Sequence, residues 1–203
     1  MKLLLFIVTI LFLNSCGTVK PIDLIRLMNL GEENNETIEE ANKYLDKKNI
    51  KHDESILLND GMFGKNTPNK CKIDTALKGS SYIQVRIFDS TGNLYTAYTQ
   101  CMGSFMENNF LNGFPPNKNN YPFFNKSLNF ITNLDLMAIS NKKKEEFILN
   151  NKSHSYTLVV YWNIWTKSFS KKVLKKVSKY KEKYGDKVYV ILCNSAKDVK
   201  SSN

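Results

Sequence analysis

A strand, a lysine-rich helix and a second strand follow one another closely in the last third of the chain. Residues 156–162 form a near-continuous apolar, β-rich run, and residues 188–193 form another, as expected of strands buried on both faces. The helix between them can be capped by Thr166 or Ser168, and Gly185 ends it. Its apolar positions recur at helical spacing: Val173, Leu174, Val177 and Tyr180. The short connections predict a right-handed βαβ unit with parallel strands.

A β-hairpin is predicted in the middle of the chain. Polar and apolar side chains alternate over residues 82–88, a turn containing glycine follows at 89–93, and residues 94–98 run back. Apolar positions over residues 103–111 predict a helix after the hairpin.

Shorter signals predict the remaining elements. Thr37 opens a Thr-Ile-Glu-Glu capping box, and the helix that follows it runs to about Lys48. Residues 55–58 predict a short strand, residues 134–139 predict another on a weaker pattern, and residues 142–149 predict a helix. Together with the hairpin and the βαβ unit, these elements predict an α/β fold with a mixed sheet flanked by helices.

A segment rich in Asn, Pro and Gly, at residues 113–126, has no regular pattern and is interpreted as a linker. It separates an α+β half with the hairpin, residues 37–112, from a βαβ half, residues 127–203. Its aromatic residues predict either packing between the two halves or a recognition surface. These residues are Phe114, Tyr121, Phe123 and Phe124.

The N-terminus has the features of a bacterial export signal. Lys2 precedes an apolar run of about eleven residues, which is too short for a bilayer-spanning helix of about 20. The sequence Leu-Asn-Ser-Cys at positions 13–16 resembles the lipobox of bacterial lipoproteins. The resemblance implies that residues 1–15 are a signal peptide, that Cys16 is acylated, and that residues 16–36 form a tether. The alternative is an ordinary secretory signal followed by a chance cysteine.

The lipobox resemblance also implies a location and a covalent group. A lipid on Cys16 anchors the protein stably to a cell membrane, and no cofactor other than this lipid is expected. Residue 17 is Gly rather than Asp, which in a Gram-negative cell implies the outer membrane, with the domain facing the periplasm. The expected partners are the membrane, through the lipid, and a protein that the sequence does not name.

Three cysteines follow the lipid site. An exported protein lies in an oxidising compartment, where disulfides persist, and an odd number leaves one thiol over. Cys71 and Cys101 flank one predicted sheet region and are the favoured pair, although the spacing leaves the other pairings open. Cys193 lies in an apolar strand pattern, which predicts a buried free thiol.

The formal net charge of +10 is concentrated at residues 142–144 and 167–187. A basic surface is typical of nucleic-acid binding, but an exported, lipidated protein rarely meets nucleic acid. The pattern therefore favours a solvated helix face close to anionic headgroups, and no nucleic-acid partner is expected.

The segment after the first buried strand carries a second resemblance. It reads Trp-Asn-Ile-Trp-Thr-Lys-Ser-Phe over residues 162–169. This resembles the Trp-Cys-x-x-Cys segment of thioredoxins, which follows a buried strand and leads into a helix. Trp162 and Trp165 match the aromatic positions, Thr166 stands at the position of the nucleophilic cysteine, and Phe169 stands at that of the resolving cysteine. The alternative is that the two tryptophans are core and rim aromatics of an unrelated βαβ unit.

The hairpin and the helix over residues 81–111 resemble the C-terminal half of the same fold. The order of elements departs from a single thioredoxin domain, because this hairpin half precedes the βαβ half. The resemblance therefore implies either two partial thioredoxin-like units that pack together or a permuted fold. Thiol–disulfide exchange requires a thiolate, and neither threonine nor phenylalanine supplies one. If the match holds, thioredoxin activity is excluded at this site.

Other catalytic patterns are not found in the sequence. It contains no G-x-S-x-G, no phosphate-binding loop and no dinucleotide fingerprint, and His52 and His154 lie far apart, so no metal site is expected. The sequence therefore predicts a membrane-anchored lipoprotein with a redox-inactive thioredoxin-like fold that serves as a binding or scaffold module. The alternatives are a cell-envelope oxidoreductase that uses Cys71 and Cys101, and an immunity or structural lipoprotein.

Overall fold

A computed structural model describes the central and C-terminal parts of the chain. The described residues are 37–58, 83–99, 110–118, 128–137, 139–164, 166 and 168–195. The predicted signal peptide and tether lie outside them, as do Cys16, Cys71, Cys101 and Trp165. Within these ranges no helix is both long enough and apolar enough to span a bilayer.

Four α-helices and five strands are present in the described ranges. In chain order they are α1 Ile38–Lys47, β1 Glu54–Leu58, β2 Gln84–Asp89, β3 Leu94–Thr99, α2 Phe130–Leu136, α3 Asn141–Ser153, β4 Tyr156–Trp162, α4 Ser168–Tyr184 and β5 Val188–Ser195. A 3-10 turn at Gly185–Lys187 connects α4 to β5.

The five strands form a single sheet in the order β1-β5-β4-β2-β3. β1, β5 and β4 are parallel, whereas β2 is antiparallel to both β4 and β3. The predicted βαβ unit with parallel strands is therefore confirmed, as is the α/β class with a mixed sheet and flanking helices. Strands from both sides of residues 113–126 interleave in this sheet, so the two predicted halves share one sheet.

The predicted capping box starts α1. The Thr37 hydroxyl accepts a hydrogen bond from the Glu40 backbone N–H at 3.2 Å, and the Glu40 carboxylate accepts one from the Thr37 N–H at 2.9 Å. These bonds satisfy backbone donors that have no partner within the helix. The helix then buries Ala41 and Leu45 against the sheet.

Two hydrophobic layers cover the two faces of the sheet. α1 and α4 cover one face, where Leu158, Val160 and Trp162 of β4 are buried. α2 and α3 cover the other face, where Val159 and Tyr161 of the same strand are buried. β4 is therefore buried on both faces, as its continuous apolar pattern predicted.

The prediction of a strand at residues 134–139 is wrong, because α2 occupies Phe130–Leu136 instead. The side chain of Asn129 caps this helix by accepting a hydrogen bond from the Thr132 N–H at 2.8 Å. Phe130 packs on Phe88 of β2, with ring centroids 5.2 Å apart, and Leu134 is buried one turn later. Phe130 and Leu134 are four residues apart, which is a helical spacing. The predicted strand covered only residues 134–139 and therefore missed this spacing.

The described part of the predicted linker packs against the sheet layer. The Tyr180 hydroxyl donates a hydrogen bond to the Gly113 carbonyl at 3.0 Å. The Phe114 ring lies between Tyr156 and Tyr184, with centroid distances of 5.5 and 5.1 Å. Phe114 therefore packs on side chains of the βαβ half. Residues 121–124 and most of the predicted helix at 103–111 lie outside the described residues.

Candidate functional site

The carboxyl ends of the three parallel strands, β1, β5 and β4, lie at one edge of the sheet. We call this the carboxyl edge; in open α/β sheets it is where ligands usually bind. β4 ends there at Trp162, and α4 begins six residues later at Ser168. The segment that resembles the thioredoxin motif therefore lies at this edge.

Trp162 is a core side chain. It is 0% exposed, and its ring lies 5.6 Å from the ring of Tyr44 on α1. The indole therefore contributes buried apolar area to the α1 and α4 layer and presents no surface to a partner.

A closed group of hydrogen bonds occupies the start of α4. The Asn163 N–H donates to the Ser170 hydroxyl at 3.3 Å, and the Thr166 N–H donates to the Asn163 side-chain carbonyl at 3.0 Å. The Thr166 hydroxyl donates to the Asn163 backbone carbonyl at 3.2 Å and lies 2.6 Å from the Ser170 hydroxyl. We call Asn163, Thr166 and Ser170 the sealed helix start, because all three side chains are buried.

The sealed helix start has no nucleophile that a substrate can reach. Thr166 is only 5% exposed, and its hydroxyl is committed to two neighbours. Phe169 is half-buried against the hydrophobic layer, and its N–H donates to the Thr166 carbonyl at 3.0 Å. Thr166 and Phe169 thus contribute hydrogen bonds and packing to the turn into α4.

A second polar cluster lies on the opposite face of the sheet. Arg86 of β2 is 1% exposed. Its guanidinium donates hydrogen bonds to the side-chain amide oxygen of Asn133 at 2.7 Å and to that of Gln84 at 3.0 Å. The guanidinium carbon lies 4.7 Å from the Tyr161 ring centroid, within the range of a cation–π interaction. We call Gln84, Arg86, Asn133 and Tyr161 the Arg86 cluster.

The Arg86 cluster holds a positive charge without a carboxylate partner in the described ranges. The Arg86 Nε–H has no hydrogen-bond acceptor there either. A buried charge is costly unless dipoles or a counter-charge compensate it. The compensating groups in the structure are the two amide oxygens, the Tyr161 hydroxyl at 3.5 Å and the Tyr161 ring. The alternating pattern of residues 82–88 did not predict the burial of Arg86 or its hydrogen bonds. Asn133 lies far away in the sequence, and α2 brings it over the strand.

Two titratable groups next to this arginine are held neutral. Burial raises the pKa of the Tyr161 hydroxyl, and the nearby Arg86 charge opposes the shift only in part. Burial likewise raises the pKa of the Cys193 thiol. Cys193 is free and buried, as predicted, and it remains an uncharged thiol rather than a nucleophilic thiolate.

The two histidines lie apart and contact backbone carbonyls. His52 Nδ1 is 2.9 Å from the carbonyl of Ile50, and His154 Nδ1 is 2.6 Å from that of Asn150. The His154 ring also stacks on Tyr189, with centroids 5.2 Å apart. Within the described residues no group of three His, Cys, Asp or Glu side chains is arranged to hold a metal ion.

The two features of this domain with functional meaning are thus the sealed helix start and the Arg86 cluster. Neither presents an ionised nucleophile, since the hydroxyl of Thr166 and the thiol of Cys193 are both buried. In comparisons with known proteins, no family model, no curated protein and no solved structure matches the chain.

Proposed function

We propose that this chain is a membrane-anchored lipoprotein whose thioredoxin-like domain is redox-inactive and serves as a binding or scaffold module in the cell envelope. Cys16 would carry the lipid, and the intact mass of the protein tests this. The observation that carries the non-catalytic role is the sealed helix start, in which hydroxyl and amide groups close a hydrogen-bond network at the matched thiol positions.

The chemistry of exchange supports this proposal. An attacking sulfur must be ionised and accessible, because the thiolate forms the mixed disulfide. Thr166 has no sulfur, and the Cys193 thiol is buried in the layer formed with α2 and α3, on the other face of the sheet from α4. No described group can therefore accept or donate the two electrons of a disulfide.

The architecture supports a binding role. A sheet with both faces covered is a rigid support, and its carboxyl edge is the place where α/β folds most often present loops to a ligand. A partner would therefore contact the loops at the carboxyl edge, while the lipid on Cys16 would keep the domain at the membrane.

An insulin-reduction assay tests the absence of exchange activity. We expect the protein purified from its native host to reduce insulin no faster than the dithiothreitol background. The Cys101→Ser variant should give the same rate, and Cys193→Ser serves as the matched control for loss of a thiol. Turnover that disappears in Cys101→Ser alone would reject the proposal and support an oxidoreductase that uses Cys71 and Cys101.

Intact mass tests the membrane address separately. We expect the protein from its native host to begin at Cys16 and to carry the added mass of diacylglycerol, and a globomycin-type block of processing should preserve the uncleaved precursor. The matched variant Cys16→Ser should lose the lipid mass. A chain that still begins at Met1, or that has a free thiol at Cys16 after cleavage, would contradict the lipoprotein assignment without affecting the insulin result.

A further inference from the structure

The outer face of α4 is a continuous row of positive charge. Four exposed lysines, at spacings of three and four residues, lie on the side of α4 opposite its buried residues Val173, Leu174 and Val177. We call these four the basic stripe: Lys172, Lys175, Lys179 and Lys183. Glu182 is the single acidic residue of the helix.

The stripe has no internal counter-charge in the described part of the chain. Some lysines elsewhere are paired: Lys143 bonds to Glu54 and Lys144 bonds to Asp135. On the inner side of α4, Lys181 bonds to Asp53 at 2.8 Å. By contrast, no described carboxylate lies within 4 Å of a basic-stripe ammonium group, and all four side chains are exposed. Like charges at these spacings repel one another, so the stripe does not serve the stability of the helix.

α1 lies on the same side of the sheet and differs from α4. Its exposed positions mix Glu39, Glu40 and Asp46 with Lys43 and Lys47, so its outer face is close to neutral. On this face of the sheet, the row of exposed positive charge therefore lies on α4. A row of exposed lysines is complementary to an anionic surface, and a helix face along its full length matches a plane better than it matches a pocket.

We infer that the basic stripe docks the domain on anionic phospholipid headgroups, so that α4 lies flat against the membrane. This inference rests on the proposed function, since the lipid on Cys16 brings the domain to the bilayer. Residues 16–36 connect that lipid to Thr37, at the start of α1, and span roughly 70 Å at most. α1 and α4 pack on the same sheet face.

Amine labelling in vesicles tests this docking. The mature protein is mixed with vesicles of phosphatidylcholine alone or of phosphatidylcholine with phosphatidylglycerol, and lysine modification is followed by peptide mass. Each lysine near an anionic surface raises the equilibrium constant for docking about fivefold. We therefore expect basic-stripe labelling to be about fivefold slower, or more, in the anionic vesicles, and the difference to vanish at about 1 M salt.

Two controls accompany the measurement. Lys142 and Lys152 are exposed on α3, on the other face of the sheet, and their labelling should be the same in both vesicle types. Replacing all four stripe lysines by glutamine should make the neighbouring Lys171 equally reactive in both types. Replacing Lys142 and Lys152 by glutamine should leave the protection of the stripe intact.

The outcomes separate docking from anchoring. Protein that floats with neutral vesicles and labels equally in both types is anchored without docking, which overturns this inference and leaves the lipoprotein proposal standing. Protein that does not float with neutral vesicles lacks the lipid anchor. If its basic-stripe lysines are nevertheless protected from labelling in anionic vesicles, docking through the stripe is supported without the anchor. Equal labelling in vesicles, but protection in intact native cells, would assign the stripe to an acidic protein and overturn the lipid assignment.

Discussion

Trp162→Ala is expected to lower the free energy of unfolding by about 3–5 kcal/mol. The Trp162 side chain is fully buried in the α1 and α4 layer, and its ring contacts Tyr44. Its removal both loses transfer free energy and leaves a cavity that the close-packed sheet cannot collapse to fill. Since domains of this size are stable by only about 5–15 kcal/mol, the variant should unfold at much lower urea concentration.

Urea unfolding followed by circular dichroism measures this effect. Trp162→Phe is the matched control, because it keeps an aromatic ring against Tyr44 and should cost about half as much. A loss of less than about 1 kcal/mol in Trp162→Ala would show that the indole is not in the core. The ring would then be available at the carboxyl edge, where the thioredoxin motif places an aromatic residue.

Asn133→Leu is expected to cost about 3–5 kcal/mol, because it removes the main compensation of a buried charge. The Asn133 carbonyl accepts hydrogen bonds from the Arg86 guanidinium at 2.7 Å and from the Tyr161 hydroxyl at 3.1 Å. Leucine has the same branched shape and cannot accept either bond. The Arg86 charge would then remain buried with the Gln84 side-chain carbonyl, the Tyr161 ring and a long hydrogen bond to the Tyr161 hydroxyl at 3.5 Å.

A double-mutant cycle with Arg86→Met identifies the cause. Methionine fills the space of the arginine stem without a charge, so Arg86→Met with Asn133→Leu should be about 2 kcal/mol more stable than the sum of the single changes predicts. Asn150→Leu is the control for loss of one neutral hydrogen bond, since Asn150 donates to the Tyr189 hydroxyl at 3.1 Å, and it should cost about 1 kcal/mol. Strict additivity in the cycle would mean that Asn133 does not compensate the arginine.

Elements with a strong local signal were predictable. α1 begins at Thr37 through a capping box whose two bonds join residues three apart, so the sequence of four residues contains the whole interaction. The boundaries of β4 were predicted without error, because a strand buried on both faces is apolar at nearly every position. The free, buried state of Cys193 followed from the same pattern in β5.

The weaker signals failed where a contact from elsewhere in the chain decides the outcome. Residues 134–139 were predicted as a strand, but the Asn129 cap and the contact of Phe130 with Phe88 select a helix. Gln84 and Arg86 have the polar side chains of a solvated strand face, yet both are buried. Burial of a polar side chain depends on what covers it, and α2 covers this face from more than forty residues away.

The sequence by itself determined α1, the hairpin, the βαβ unit and the absence of cysteines at residues 166 and 169, because helix caps, apolar periods and residue identity are local properties. Only the tertiary structure decided that strands from both parts of the chain share one sheet, that Trp162 is core, and that a buried arginine is held by amide oxygens. These depend on contacts between distant residues, whose free energies appear only when the chain has folded and water has been excluded.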